Sequence, residues 1–340
     1  MIKVFIIDDS MLIRNSIIKI LKNRPELEII GEASNPIDAM NIFKNTGLPD
    51  VLILDLEMPK MDGLTFLKKL KKERPIPTIV FSSLHDNKST KAIDALSLGA
   101  YDIVVKPTLM NEIKSDEFVN DFVSKIKSAV DSKSLDYISK NKTNVKPFIN
   151  NSNKIVAIGS STGGVQTLEK ILSQLNPSHP PILITQHMPE GFTTSFANRL
   201  NKICLNSNVT EVSENEVIKF GDIFIAPGNM HLEVEKIKNN KFQVVLKDYP
   251  KVSNHKPSVD VLFKSFAKEV KENTVAFILT GMGKDGALGI KKIRELGGQT
   301  FGQDKESSIV YGMPKVAFEL GGIDKQVNIN DVIDIINNIK

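Results

Sequence analysis

Apolar and polar residues alternate along this chain in two kinds of block: short runs that are almost wholly apolar, and longer stretches with apolar residues at helical spacing. The runs KVFII (3–7), LEIIGEA (27–33), VLILD (51–55), TIVFSS (78–83) and DIVVK (102–106) read as strands. Helical patterns at 11–21, 36–44, 64–72, 91–98 and 117–130 follow them in turn. Strands apolar on both faces, each followed by a helix, predict an α/β unit with a five-stranded parallel sheet covered on both sides. The pattern stops near residue 130 and restarts with KIVAIG (154–159). PILITQH (181–187), GDIFIAPG (221–228), KFQVVLK (241–247), TVAFILT (274–280) and GGQTFGQ (297–303) are further strand candidates, with helices expected at 165–175, 192–200, 259–271, 286–296 and 314–320. These predict a second, doubly wound α/β unit with a small β-hairpin around residues 223–246. The expected organisation is one domain over 1–125, a linker over 126–153 and a second domain over 154–340.

Composition narrows the class. With 340 residues, 41% hydrophobic and 25% charged, the chain suits a folded protein of two domains, not a disordered or fibrous one. A single cysteine, Cys204, excludes an intrachain disulfide framework and a cysteine-built zinc site. No apolar run approaches the length of a membrane span, and Asp8 and Asp9 come too early for a signal peptide, so a cytoplasmic protein without membrane insertion is expected. Residues 126–154 hold six lysines against two aspartates, which accounts for the whole net charge of +4. A basic excess confined to a Ser/Asn/Lys-rich stretch reads as a tether property, and no nucleic-acid partner is expected.

In an open parallel sheet the functional crevice lies beyond the carboxyl ends of the strands. The first unit repeatedly puts chemistry there: Asp8 and Asp9 after the first strand, Asp55 after the third, Ser82 and Ser83 ending the fourth, Lys106 ending the fifth before Pro107. Three converging carboxylates need a hard cation, and Mg²⁺ suits oxygen ligands beside a phosphate. Lysine and a hydroxyl on neighbouring strands could then bind a phosphoryl group on Asp55. Each residue alone has a structural reading, since aspartates after strands often cap helices. The ordered set, with DLEMPKMDG around Asp55, resembles the response-regulator receiver domain, a flavodoxin-like fold. The resemblance implies that Asp55 accepts phosphate from a histidine kinase, that Asp8, Asp9, Asp55 and the Glu57 carbonyl hold Mg²⁺, and that Ser82 and Lys106 report the phosphorylation. Ile103 occupies the position where that family usually has its aromatic switch.

The second unit opens with G159-S160-S161-T162-G163-G164 between a strand and a helix. A dinucleotide loop would require GxGxxG and a P-loop a following GK[ST], and neither is present. Gly159-x-Ser161-x-Gly163 matches the nucleophile-elbow pattern, although Gly/Ser turns are common in α/β proteins. Of five histidines, His187 emerges from its strand at the same sheet end as Ser161 and is the preferred base. His231 could approach a cleft, whereas His255 lies in a loop that no strand places. The loop G281-M282-G283-K284-D285-G286 offers Asp285 as the orienting carboxylate, or as a plain helix cap. The order Ser, His, Asp differs from that of the α/β-hydrolases.

GSSTGG, ITQHMPEGFT, APGNMH, KPSVDVLF, ILTGMGKDG and GQDKESSIVYGMP resemble the catalytic domain of the chemotaxis protein-glutamate methylesterases, the CheB family. The resemblance implies Ser161 as nucleophile, His187 as general base and acid, Asp285 as its partner, and backbone donors at Met282 and Thr162 for the oxyanion. It implies hydrolysis of glutamate γ-methyl esters and deamidation of glutamines on the cytoplasmic helices of chemoreceptors, without a cofactor for the ester chemistry. It further implies that a chemotaxis histidine kinase controls the activity through the first unit. Ser160 and Lys284 stand where alanine and asparagine are frequent in the family. A receptor-binding adaptor without activity, an unrelated small-ester hydrolase and a DNA-binding regulator are the competing classes.

Overall fold

Two units account for the chain, Met1–Ser134 and Leu135–Lys340, in a computed structural model that describes residues 1–83, 86–107, 115–131 and 152–339. His85 and residues 132–151 of the expected linker lie outside the described residues.

The first unit runs β1 (Ile2–Ile7), α1 (Met11–Leu21), β2 (Leu27–Ala33), α2 (Pro36–Thr46), β3 (Val51–Leu54), α3 (Gly63–Glu73), β4 (Thr78–Ser82), α4 (Asp86–Ser97), β5 (Asp102–Val105) and α5 (Asp116–Val130). The strands pair in the order β2-β1-β3-β4-β5, parallel throughout. The middle strands have helices on both faces, which is why they are apolar without alternation: all four residues of β3 are buried. Ser10, Asn35 and Asp62 cap α1, α2 and α3 with their side chains, the first two just past a strand's carboxyl end and the third after a longer loop. The sheet order reverses between β1 and β3, which opens a crevice between Asp8 and Asp55.

The second unit runs β6 (Ile155–Ser160), α6 (Gly164–Leu172), β7 (Ile182–Gln186), α7 (Phe192–Ile203), β8 (Asn208–Glu211), β9 (Glu216–Val217), β10 (Asp222–Ile225), β11 (His231–Lys236) and β12 (Phe242–Lys247). It continues with α8 (Val259–Glu269), β13 (Thr274–Ile278), α9 (Ala287–Glu295), β14 (Gln299–Gln303), α10 (Met313–Glu319), β15 (Lys325–Val327) and α11 (Ile329–Asn337). Seven strands form one sheet in the order β15-β14-β13-β6-β7-β10-β8, every neighbouring pair parallel. The expected hairpin is displaced. Ile223, Phe224 and Ile225 are fully enclosed and join the main sheet beside β7, while β11 and β12 form the hairpin and β9 adds a third antiparallel strand. Strands β8 and β15, which the apolar pattern missed, lie at the sheet's two edges. An edge strand has one neighbour and needs less apolar surface, so NVTE and KQV suffice there.

Helix α8 is the keystone of the core. Val259, Leu262, Phe263 and Phe266 are buried completely and pack on the central strands with Ala157, Ala276 and Ile278. Its first turn approaches β6 so closely that a Cβ on Gly159 would lie 2.1 Å from Val259 Cγ1. The first glycine of the Gly-x-Ser-x-Gly stretch thus makes room for a helix. Deleting a fully enclosed aromatic ring costs about 3–5 kcal/mol. Phe263→Ala is expected to lower the denaturant-unfolding free energy of the second unit by that amount, leaving the transition of the first unit in place.

Candidate active site

Backbone hydrogen bonds stitch three loops together at the carboxyl ends of β6, β7 and β13. The His187 N–H donates to the Ser160 carbonyl at 3.0 Å, and the Ser161 N–H donates to the Thr280 carbonyl at 3.0 Å. Thr280 Oγ1 donates to the Thr162 carbonyl at 3.0 Å. A Cβ on Gly281 would lie 2.8 Å from Ser161 Cβ, so only glycine lets the 281–286 loop lie this close to Ser161. Gly163, with φ +79°, supplies the left-handed turn from which α6 starts. Ser161 is half-buried at the start of this turn.

His187 and Asp285 meet directly. Asp285 Oδ2 accepts from His187 Nε2 at 2.8 Å. That contact places the ring proton on Nε2, and Nδ1 is buried with no hydrogen-bond partner among the described residues. The bare nitrogen, Nδ1, is therefore the atom left for a neighbouring hydroxyl. Ser161 stands on the adjacent strand end without bonding to it.

Asp285 is 1% exposed, and each of its oxygens is satisfied. Oδ1 accepts from Ser258 Oγ at 2.8 Å and from the Asp260 N–H at 3.0 Å; Oδ2 also accepts from the Val259 N–H at 2.7 Å. The carboxylate thus sits on the amino end of α8, where free N–H groups and the helix dipole favour negative charge. Burial pushes its titration up, but the His187 contact, the Asp260 N–H and the Ser258 hydroxyl outweigh that and hold it below the usual carboxylate range.

The remaining histidines separate clearly. His255, which no strand places, stacks on His187 with ring centroids 3.7 Å apart and planes at 11°. A two-residue turn holds it there: Val252 and His255 exchange backbone hydrogen bonds, and Ser253 and Asn254 take φ of 53° and 66°. His231 is fully buried and serves α8: its Nδ1 accepts from the Ser258 N–H at 3.2 Å, and its Nε2 donates to the Pro250 carbonyl at 3.2 Å. Burial lowers its titration, keeping the ring neutral for that role. His179 is buried with both nitrogens engaged, by the Pro180 carbonyl and Ser207. Burial, with Glu169 nearby, pushes the Cys204 thiol up to about 12, which removes it as a nucleophile. Ser258 and His255 are the site residues that spacing missed. The motif KPSVD pointed toward the first, while the second is set by a turn that only its positive-φ pair Ser253-Asn254 could have announced.

The first unit has its own acidic cluster. Asp8, Asp9 and Asp55 each offer a carboxylate oxygen, all within 4.8 Å of one another. Lys106 Nζ lies 2.7 Å from Asp8 Oδ2 and donates to Asp55 Oδ2 at 2.6 Å. Burial, reinforced by the Asp55 charge, raises the Asp8 titration despite Lys106. An oxygen-only donor set with surplus negative charge suits a hard divalent cation. The Glu57 N–H donates to Asp55 Oδ1 at 3.3 Å, and Ser82 is buried at the end of β4, its carbonyl accepting from the Lys106 N–H. Ile103 is buried in β5, its carbonyl accepting from Lys125 Nζ at 2.9 Å. No helix among the described residues is long and apolar enough to cross a membrane.

Comparison with known proteins agrees with this division. Residues 156–336 match the family model for CheB methylesterase, and residues 4–116 match that for the response regulator receiver domain. A protein-glutamate methylesterase/protein-glutamine glutaminase of Leptospira interrogans is 42% identical, with 98% of each chain covered. One from Methylobacillus flagellatus is 44% identical over 97% of this chain and 94% of its own. The crystal structure of the Thermotoga maritima CheB methylesterase catalytic domain is 39% identical with a TM-score of 0.53, covering 56% of this chain and all of that one.

The depressed titration of Asp285 has a thermodynamic consequence. The stability it confers is complete above the unfolded carboxylate range and is lost as pH falls through the lower folded value. Asp285→Asn should therefore flatten the acid limb of the second unit's stability profile below pH ~4, read by denaturant unfolding at a series of pH values.

Proposed function

The chain belongs to the CheB methylesterase family, with a response regulator receiver domain as its first unit, and from that premise we propose that it hydrolyses glutamate γ-methyl esters on chemoreceptors through Ser161, His187 and Asp285. One observation carries the assignment of residues: His187 is bound to Asp285 through Nε2 and keeps a bare Nδ1 on the strand next to Ser161. Ser161 Oγ attacks the ester carbonyl while His187 Nδ1 takes its proton. Asp285 keeps the other proton on Nε2 and stabilises the imidazolium, helped by the helix end behind it. The backbone N–H groups of Met282 and Thr162 receive the oxyanion, each worth about 3 kcal/mol in comparable sites. His187 returns the proton to the departing methoxide oxygen, so that methanol leaves, then activates the water that frees the glutamate. With a glutamine side chain the same steps release ammonia, since only the leaving group differs.

Control is proposed to come from the first unit. Asp55 takes a phosphoryl group from a chemotaxis histidine kinase, and Lys106 and Ser82 bind its oxygens. Asp8, Asp9, Asp55 and the Glu57 carbonyl fit Mg²⁺, which would offset the added charge. The site of action is the cytoplasmic receptor helices, reached without membrane insertion.

Membranes carrying tritium-methylated receptor provide the test: the wild-type chain should release volatile methanol, and Ser161→Ala should cut the rate at least about a thousandfold. Equal release by the two proteins would remove Ser161 from the chemistry. Asp55→Asn should take up no phosphate from a small phosphodonor in the presence of Mg²⁺, with Ser161 still able to react with a small phosphonylating reagent.

A further inference from the structure

We infer that Gln186 is a positioning residue for this hydrolysis, clamping the nucleophile and base strand ends to one another through its carboxamide; the inference deepens the proposed function and rests on it. Gln186 ends β7, is the register partner of Ser160 at the end of β6, and is 3% exposed. Its Nε2 donates to the Ser161 carbonyl at 2.9 Å and to the His187 carbonyl at 3.0 Å. Its Oε1 accepts from Ser160 Oγ at 2.6 Å. The orientation is fixed by chemistry, because the inverted amide would press its oxygen against two carbonyl oxygens. Both amide hydrogens are thus committed to the two residues assigned as nucleophile and base. The strand ends are already joined by the bond from His187 N–H to the Ser160 carbonyl, and the carboxamide extends that link one residue further, to the reacting residues themselves.

The neighbouring sequence is arranged around this group. A Cβ on Gly164 would lie 1.9 Å from Gln186 Oε1 and 2.9 Å from Ser160 Oγ, so the last glycine of GSSTGG leaves space for the carboxamide. Ser160, which stands where the family often has alanine, donates to Oε1 and locks the amide. The carboxamide acts through the backbones of Ser161 and His187. Its loss loosens both at once, in the step where Oγ and Nδ1 must approach as the proton moves.

Gln186→Leu and Gln186→Met keep the volume and remove the donors. Either is expected to lower kcat on methylated receptor by about 10- to 100-fold with KM unchanged within about twofold. Phosphonylation of Ser161 by a small fluorophosphonate should slow by the same factor, while the thermal unfolding transition of the catalytic unit remains cooperative. Ser160→Ala should cost roughly threefold alone and nothing more on top of Gln186→Leu, because Ser160 acts only through the amide. Folded Leu or Met variants with wild-type kcat and labelling rates would overturn the inference, as would a loss confined to KM. Should the Leu variant not fold, the Met variant decides. Labelling reads Ser161 whatever its natural ester. A wild type that labels in a Gln186-dependent way but releases no methanol would therefore support the clamp and count against the receptor substrate.

Discussion

The catalytic unit is organised around one buried negative charge. Asp285 caps a helix to which it does not belong: Ser258, the residue at the start of α8, makes no cap of its own and gives its hydroxyl to Asp285, as Val259 and Asp260 give their N–H groups. Without those donors a buried carboxylate would take up a proton and could no longer hold His187. Several residues near the site serve this arrangement. Gly159 lets α8 approach, His231 anchors the Ser258 N–H, and Phe263 and Phe266 fix the helix in the core.

Asp8 in the first unit and Asp285 in the second are buried acid groups held in opposite ways. In the receiver, Lys106 reaches two aspartates at once, and burial still raises the Asp8 titration. In the catalytic unit the carboxylate is fully satisfied and its titration falls. Burial pushes Asp8 toward its protonated form, whereas its donors hold Asp285 in the charged form. Surplus acidity suits a switch, whereas a saturated carboxylate suits a fixed tautomer on its histidine.

The central strands were legible in the sequence because two helical faces demand near-continuous apolar runs, and the reactive residues follow those runs directly. Ser161, His187 and Asp285 could be placed at one end of the sheet because each lies in the loop that follows a strand of this kind. The edge strands β8 and β15 were not legible, since their residues answer to a single neighbour. Strand β10 was assigned to the hairpin because a short apolar run fits a central strand and a hairpin equally well. His255 stayed hidden because a turn of Ser and Asn aims it, and apolar periodicity carries no record of such a turn. Helix α11, absent from the expected elements, does carry the pattern, with Ile329, Val332, Ile333 and Ile336 buried along one side.

The choice of Nε2 for the carboxylate contact has a stereochemical consequence. Nδ1 is the ring nitrogen nearer the main chain, so in the proposed mechanism a proton picked up there would travel close to the residue's own peptide, not at the tip of an extended imidazole. In the proposed mechanism the reach of the base is correspondingly short, and the Ser161 oxygen would have to come to it. A mechanism-based inhibitor shaped for hydrolases that present the distal nitrogen would meet an edge of the ring set at a different distance and angle. Selectivity between such enzymes and this one could then be sought in ligand geometry alone, with identical reactive groups.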